Sequence, residues 1–189
     1  MDEWVAHAIM TTLLAAAAGV LSSGFVIWKK TGSLDVGMAG NGALAGLVSI
    51  TAGTGALNFL GAIISGLIGG IIVVYSIIMI ERKGIDDPVG AVSVHGICGV
   101  WGTLAVGLFA RYDDAFLGRE NAGLFYGGGF EQLLVQAIGS LIVATWVLGT
   151  SAILFKTIKS TIGLRVSASE EREGLDLAEH GSPGYGLAD

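Results

Sequence analysis

The chain has 189 residues, of which 52% are hydrophobic and 14% charged, with 31 glycines, 2 prolines and a formal net charge of −6. So little charge cannot cover the surface of a soluble domain of this length. The acidic balance and the lack of a basic stripe exclude a nucleic-acid-binding role, and the single cysteine, Cys98, excludes an internal disulfide.

Val5–Trp28 is the first charge-free block, and it is long enough for one membrane-spanning helix. Asp2 and Glu3 stand where a cleaved leader carries basic residues, so this block reads as a span. Val36–Ile80 is free of charge over a length sufficient for two spans, with Thr51-Ala52-Gly53-Thr54-Gly55 as the natural turn between them. Pro88–Ala110 and Gln132–Phe155 supply the fourth and fifth. The predicted fold class is therefore all-α, a polytopic integral membrane protein of five transmembrane helices. The spans fall at about 5–28, 37–53, 56–80, 88–110 and 131–155, in a membrane domain of residues 1–160. A polar tail, 161–189, follows.

Basic residues predict the orientation. If five spans alternate, Lys29, Lys30, Arg82, Lys83, Lys156, Lys159, Arg165 and Arg172 share one side, and only Arg111 and Arg119 fall on the other. The positive-inside rule then places the N-terminus outside and the tail in the cytoplasm.

Glycines recur at the spacing that lets helix backbones approach closely in lipid. Gly42/Gly46, Gly66/Gly70 and Gly61/Ser65/Gly69 are the clearest cases, and simple helix packing accounts for them. Gly96, Gly99 and Gly102 line one flank of the fourth span beside His95.

His95 is the most informative residue. A helix begun at Pro88 carries it about 10 Å below its end, inside a hydrocarbon core roughly 30 Å thick. An ionisable group at that depth marks a substrate or proton path by default, against the alternative of a neutral histidine bonded to a neighbouring helix. Cys98, three residues on, shares part of its face. One cysteine with one histidine makes no metal site, so neither a metal nor a cofactor is expected. Asp86-Asp87-Pro88 precedes the span, with Asp87 suited to an N-cap and Pro88 to the first helical position. The two carboxylates can also attract cations to the mouth of a path. An enzyme would need a second catalytic group at the depth of His95, and Ser93 and Cys98 lack an activating partner. No enzymatic activity is expected.

Three stretches carry a family resemblance. Asp86-Asp87-Pro88 with Val94-His95-Gly96 resembles the tenth span of the ammonium transporter family (Amt/Mep/Rh). Asn41-Gly42-Ala43-Leu44-Ala45-Gly46-Leu47-Val48 with Thr51-Ala52-Gly53 resembles the eighth. Gly163-Leu164-Arg165-Val166, continuing through Glu170-Glu171-Arg172-Glu173-Gly174-Leu175-Asp176 to His180-Gly181, resembles the family's cytoplasmic C-terminal region. The resemblance covers nearly the whole chain but only the second half of the family's protein, spans seven to eleven.

That resemblance implies transport of ammonium or ammonia through a narrow pore in each subunit of a homotrimer in the plasma membrane. Two histidines from different halves of the fold face each other there, and His95 matches the second. A neutral imidazole offers one donor and one acceptor, so such a pair can share a hydrogen bond and still bind ammonia or pass a proton. Asn41 matches a position near the pore, and Ala91, one turn before His95, should face the same way. The first histidine has no counterpart, because His7 lies at the outer end of span one and His180 in the tail. The chain is accordingly expected to be a C-terminal portion of a longer product, a half that assembles with a separately encoded N-terminal half, or an inactive truncated relic. A membrane-bound ammonium sensor or regulatory subunit is the alternative to transport. In the tail, Gly163, Leu164, Arg165, Glu173 and Gly174 match the regulatory segment, which implies docking under the helices and a landing site for a PII-type signalling protein. A solvated tail is the competing reading of the same charges.

Overall fold

The computed structural model describes residues 3–111 and 122–184. Arg119 and the end of the tail lie outside these residues. The described residues are nearly all helical: α1 (Glu3–Thr31), α2 (Val36–Thr51), α3 (Phe59–Arg82), a π-helical turn (Val92–Ile97) running into α4 (Cys98–Phe109), a short 3₁₀ turn (Leu124–Tyr126), α5 (Glu131–Thr161), α6 (Ala168–Glu173) and α7 (Leu175–His180). The chain divides into two compact units, Met1–Leu141 and Ile142–Asp189.

Four helical stretches are long and apolar enough to cross a membrane: Glu3–Thr31, Phe59–Arg82, Val92–Phe109 and Glu131–Thr161. The apolar helix Val36–Thr51 is shorter, at 16 residues. It begins where the Asp35 carboxylate accepts the Met38 N–H, at 2.6 Å. It stops where Gly53 N–H turns back to the Ile50 carbonyl. At 1.5 Å per residue it covers about 24 Å, less than the ~30 Å hydrocarbon core.

In the first unit α1, α2 and α3 pack backbone against backbone. A Cβ on Gly46 or Gly66 would lie within 3.0 Å of the Ala15 carbonyl, and one on Gly42 or Gly70 within 3.0 Å of the Gly19 carbonyl. Gly66 and Gly70 therefore turn one edge of α3 to α1. Ser65 and Gly69 turn another to α2, where Ser65 Oγ donates to the Ser49 carbonyl at 2.9 Å. Small residues are required wherever two helix backbones meet this closely.

α4 is tied to the same group. Trp101 Nε1 donates to the Ser65 carbonyl at 3.0 Å, and the Cys98 thiol to the Gly69 carbonyl at 3.6 Å. Gly102 abuts the backbone of Ser49, and Gly107 that of Leu133 near the start of α5. Two apolar clusters result. One gathers Ala15, Ile50, Leu57, Ala62 and Val106, the other Ile27, Ala45, Val73, Val74, Ile77, Val94 and Cys98.

Hydrogen bonds close one end of the unit. His7 Nε2 bonds the Leu57 carbonyl at 2.8 Å, and its ring stacks on Phe59 with centroids 5.3 Å apart. Thr11 Oγ1 reaches the Thr54 carbonyl at 3.1 Å. Asn58 caps α3 through Gly61 N–H and donates from its amide to the Tyr126 hydroxyl. His7 thus has a structural task at this end, where the Thr54 and Leu57 carbonyls of the helix-joining loop accept side-chain bonds from α1.

In the second unit, the end of α5 is followed by two short helices. Gly163 takes φ +83° and its N–H returns to the Ile158 carbonyl, which ends α5. Ser167 and Glu170 form a reciprocal capping box at α6.

Substitution at the close approaches separates packing glycines from open ones. Gly46→Ala should destabilise the protein by about 1–3 kcal/mol through overpacking. Gly139→Ala and Gly149→Ala, where a Cβ meets nothing within 4 Å, should be neutral or stabilising by up to ~1 kcal/mol through helix propensity. Denaturant titration in detergent micelles checks the order, and equal losses at all three positions would contradict it.

Candidate functional site

The segment leading into the His95 helix differs from the sequence expectation. Pro88 is not the first helical residue. It is the second residue of a tight turn in which Gly90 N–H donates to the Asp87 carbonyl at 2.9 Å. Asp before Pro with Gly at the fourth position is the residue pattern that a type I turn favours. Gly90 has φ +71°, a conformation that side chains disfavour, and a Cβ there would also strike Ile77. The helix starts only after this turn, so His95 lies about one turn from its start rather than about 10 Å down it.

Asp87 still caps, by a longer reach. It is 9% exposed, and its carboxylate oxygens accept the N–H groups of Val92 and Ser93 at 3.2 and 3.4 Å. An acidic group among the free N–H groups at a helix start is stabilised by those groups and by the helix dipole. Asp86, beside it, is exposed.

The π-turn decides which way His95 faces. Cys98 N–H donates to the Ser93 carbonyl, a five-residue closure that carries one residue more than an α-turn. Along α4 the buried residues Cys98, Gly102, Ala105 and Val106 keep helical spacing. An unbroken α-helix, at about 100° per residue, would continue that stripe to His95 and Ala91. One extra residue rotates everything before it, so Ser93 and Val94 take the buried positions. Ala91, Val92, His95 and Gly96 then lie together on the open face. The shared face of His95 and Cys98 is thereby overturned: Cys98 is 0% exposed and bonded to α3. Ala91 and His95 do share a face.

Asn41 is half-buried on α2, with its Nδ2 beside Gly90, 3.3 Å from where a Cβ would sit. It therefore stands at the entrance to the His95 helix. Gly99 and Gly102 turn from His95 toward Val48 and Ser49 of α2, and only Gly96 stays on the open side. Among the described residues no group of three or more His, Cys, Asp and Glu side chains is placed to hold a metal ion.

In the second unit the tail residues are ordered by local bonds. Arg165 pairs with Glu171 at 3.7 Å, both largely exposed. Glu173 ends α6, and Gly174 at φ +94° returns its N–H to the Glu170 carbonyl. Leu164 and Leu175 are 47% and 41% exposed. The Ser167 hydroxyl and N–H hold the Glu170 carboxyl below its usual range. The Gly184 N–H does the same to Asp176, donating at 2.6 Å.

Long apolar helices joined by close glycine contacts, with one histidine turned to an open face by a π-turn, define a polytopic membrane protein with a candidate polar path. The profile of the Ammonium Transporter Family matches residues 1–185, and the chain belongs to that family. The ammonium transporter Amt2 of Archaeoglobus fulgidus is 42% identical over 178 residues, covering 92% of this chain and 38% of that protein. Among solved structures, one titled Sensor Amt Protein superposes with a TM-score of 0.84 at 33% identity, over 95% of this chain and 43% of that one. Mep2 of Candida albicans gives a TM-score of 0.81 at 28% identity, over 90% and 38% respectively. The chain therefore spans about 38% of the length of this curated relative.

Tail order should depend on acidity in a predictable direction. A carboxyl whose folded value is lowered adds stability that is complete above its unfolded value, about 4, and is lost as pH falls through the folded value. The Gly184 amide resonance should hold steady from neutral pH down to about 5 and move only below about 4. A midpoint at or above the ordinary aspartate value would contradict the bond to Asp176.

Proposed function

We propose that this chain forms part of a pathway for ammonium or ammonia across the plasma membrane, with His95 on the wall of the path. The observation that carries this reading is the π-turn, which sets His95 on an open face together with Ala91 and Gly96 in a member of the ammonium transporter family. An imidazole there can accept a hydrogen bond from ammonium or donate one to the lone pair of ammonia. Asn41, beside Gly90, is placed at the mouth, and Asp86 and Asp87 add negative charge there. Asp87 contributes mainly through capping, since two N–H groups occupy its carboxylate.

The path needs a second wall. We assign it to the part of the fold that relatives have and this chain lacks, which supplies a histidine opposite His95. That part is on the same product or on a separately encoded half. That second wall covers the face bearing His95, since an ionisable side chain cannot stay against lipid, and completed units assemble as the homotrimer that the family resemblance implies. Five crossings, with α2 as the short one, would put the two ends on opposite sides, and the distribution of Lys and Arg supports an outside N-terminus and a cytoplasmic tail. The tail segment, with Gly163, Leu164, Arg165, Glu173 and Gly174, then serves as a regulatory contact, and its exposed Leu164 and Leu175 are the apolar anchors for a PII-type signalling protein. Sensing without transport is the second reading, favoured by the likeness to a structure titled as a sensor.

Transport is tested by supplying the missing half of a relative, in trans or by fusion, and measuring methylammonium uptake. His95→Ala should cut uptake at least about tenfold, or about 1.4 kcal/mol in barrier, or change its selectivity. His7→Ala should cost about 1 kcal/mol of stability from its lost hydrogen bond and leave uptake in place. Wild-type binding of ammonium with no flux would favour the sensor, and equal loss from both substitutions would overturn the pore role of His95.

Orientation has its own check. In a Cys98→Ala background, a membrane-impermeant thiol reagent added outside should label Phe130→Cys and miss Ser33→Cys. The reverse pattern would overturn the placement.

A further inference from the structure

We propose that Asp87 is a positioning residue for His95: its carboxylate clamps the start of the helix and so holds the π-turn that keeps the imidazole on the open face. The inference rests on the reading of His95 as a path-lining residue, but its geometry stands apart from transport.

Two pins bound the π-turn. At its far end α4 is fixed in rotation, since the Cys98 thiol is bonded to Gly69, Trp101 Nε1 to Ser65, and Gly102 lies on the Ser49 backbone. At its near end the Asp87 carboxylate holds the amides of Val92 and Ser93. The Pro88 turn fixes Asp87 itself through the Gly90 N–H, and Gly90 in turn accepts the Val94 N–H at 2.8 Å. Between the pins the chain has one residue too many for an α-turn, and the Cys98-to-Ser93 bond absorbs it.

A π-turn has no intrinsic advantage over an α-turn, and single turns of this kind persist where the surroundings impose them. Releasing the near pin removes what imposes this one. The segment can then recover four-residue closure, which rotates His95 and Ala91 by about 100° toward the stripe that holds Cys98. Asp86 has no such effect, because it is exposed beside the turn.

The test uses the full chain in lipid nanodiscs, with ¹⁵N-histidine resonances and amide exchange as readouts. His7 and His180 are internal controls, because they lie away from the turn. Asp87→Ala should move the His95 ring signals and speed exchange at Val92, Ser93 and Cys98 by about tenfold or more, while His7 stays where it was. Asp87→Asn keeps an acceptor oxygen and should restore most of the His95 signal. Asp86→Ala should match wild type.

An unchanged His95 signal and exchange in Asp87→Ala would overturn the proposal. If Asp87→Ala fails to fold, Asp87→Asn decides alone, because it keeps one acceptor oxygen for the two amides of Val92 and Ser93. Faster exchange at one of these amides with a partly shifted His95 signal and an intact His7 signal supports the clamp, and wild-type exchange and His95 signal together refute it. Uptake in the completed assembly separates this idea from the functional reading. If Asp87→Ala displaces His95 but leaves uptake and selectivity unchanged, the clamp stands and the pore role of His95 falls.

Discussion

Backbone contact between α1, α2 and α3 is the constraint on which the rest of the first unit depends. Gly46 and Gly66 approach the Ala15 carbonyl of α1 without a Cβ, and Gly42 and Gly70 approach that of Gly19. In lipid, burying an apolar side chain against another gains little over burying it against acyl chains. Helix association must then come from close van der Waals contact and from polar bonds between helices. The short distances between these backbones supply the first, and the bond from Ser65 to Ser49, with that from Thr11 to Thr54 in the α2–α3 turn, supplies the second.

The rotation of α4 follows from that group. Once α2 and α3 are locked, the Ser49 backbone and the Ser65 and Gly69 carbonyls fix where Gly102, Trp101 and Cys98 can go. The near end of the same helix answers to other residues, namely the Pro88 turn and the Asp87 carboxylate. These two sets of demands differ by one residue. The π-turn reconciles them, and the direction of His95 is the outcome. A position one helical step away would place the imidazole among apolar side chains, where an unpaired polar group costs several kcal/mol or more in hydrocarbon surroundings.

The second unit follows a different logic. Its short helices hold together through local caps: the Ser167–Glu170 box, the turn at Gly174 and the Asp176-to-Gly184 bond. Among its described residues none is buried. Such a segment keeps its shape by satisfying its own backbone groups while leaving Leu164, Leu175 and Leu177 exposed. Exposed apolar residues on a locally ordered frame suit a surface that meets a partner.

Much of this was readable in the residues. Charge-free blocks mark the long helices because hydrocarbon tolerates little else, and four-residue glycine spacing marks the backbone contacts because 3.6 residues complete a turn. The family resemblance rests on Asp86-Asp87-Pro88 with Val94-His95-Gly96, on the Asn41 stretch and on the tail from Gly163 to Gly181, and the chain belongs to that family. The shared face of Ala91 and His95 also followed from local spacing. Local spacing misleads on the shared face of His95 and Cys98 and on the start of the helix at Pro88, both of which the structure overturns. Spacing alone implies a regular period across residues 88–102, but hydrogen-bond register is not a local property there. The Asp87 carboxylate reaches amides five and six residues on, while the other end of the segment is held by α2 and α3, contacts distant in sequence. Composition and spacing thus determined the class of protein and the helices themselves, since each depends on nearby residues alone. Only the tertiary structure decided which way the histidine faces, because that rotation is set by two anchors on different elements.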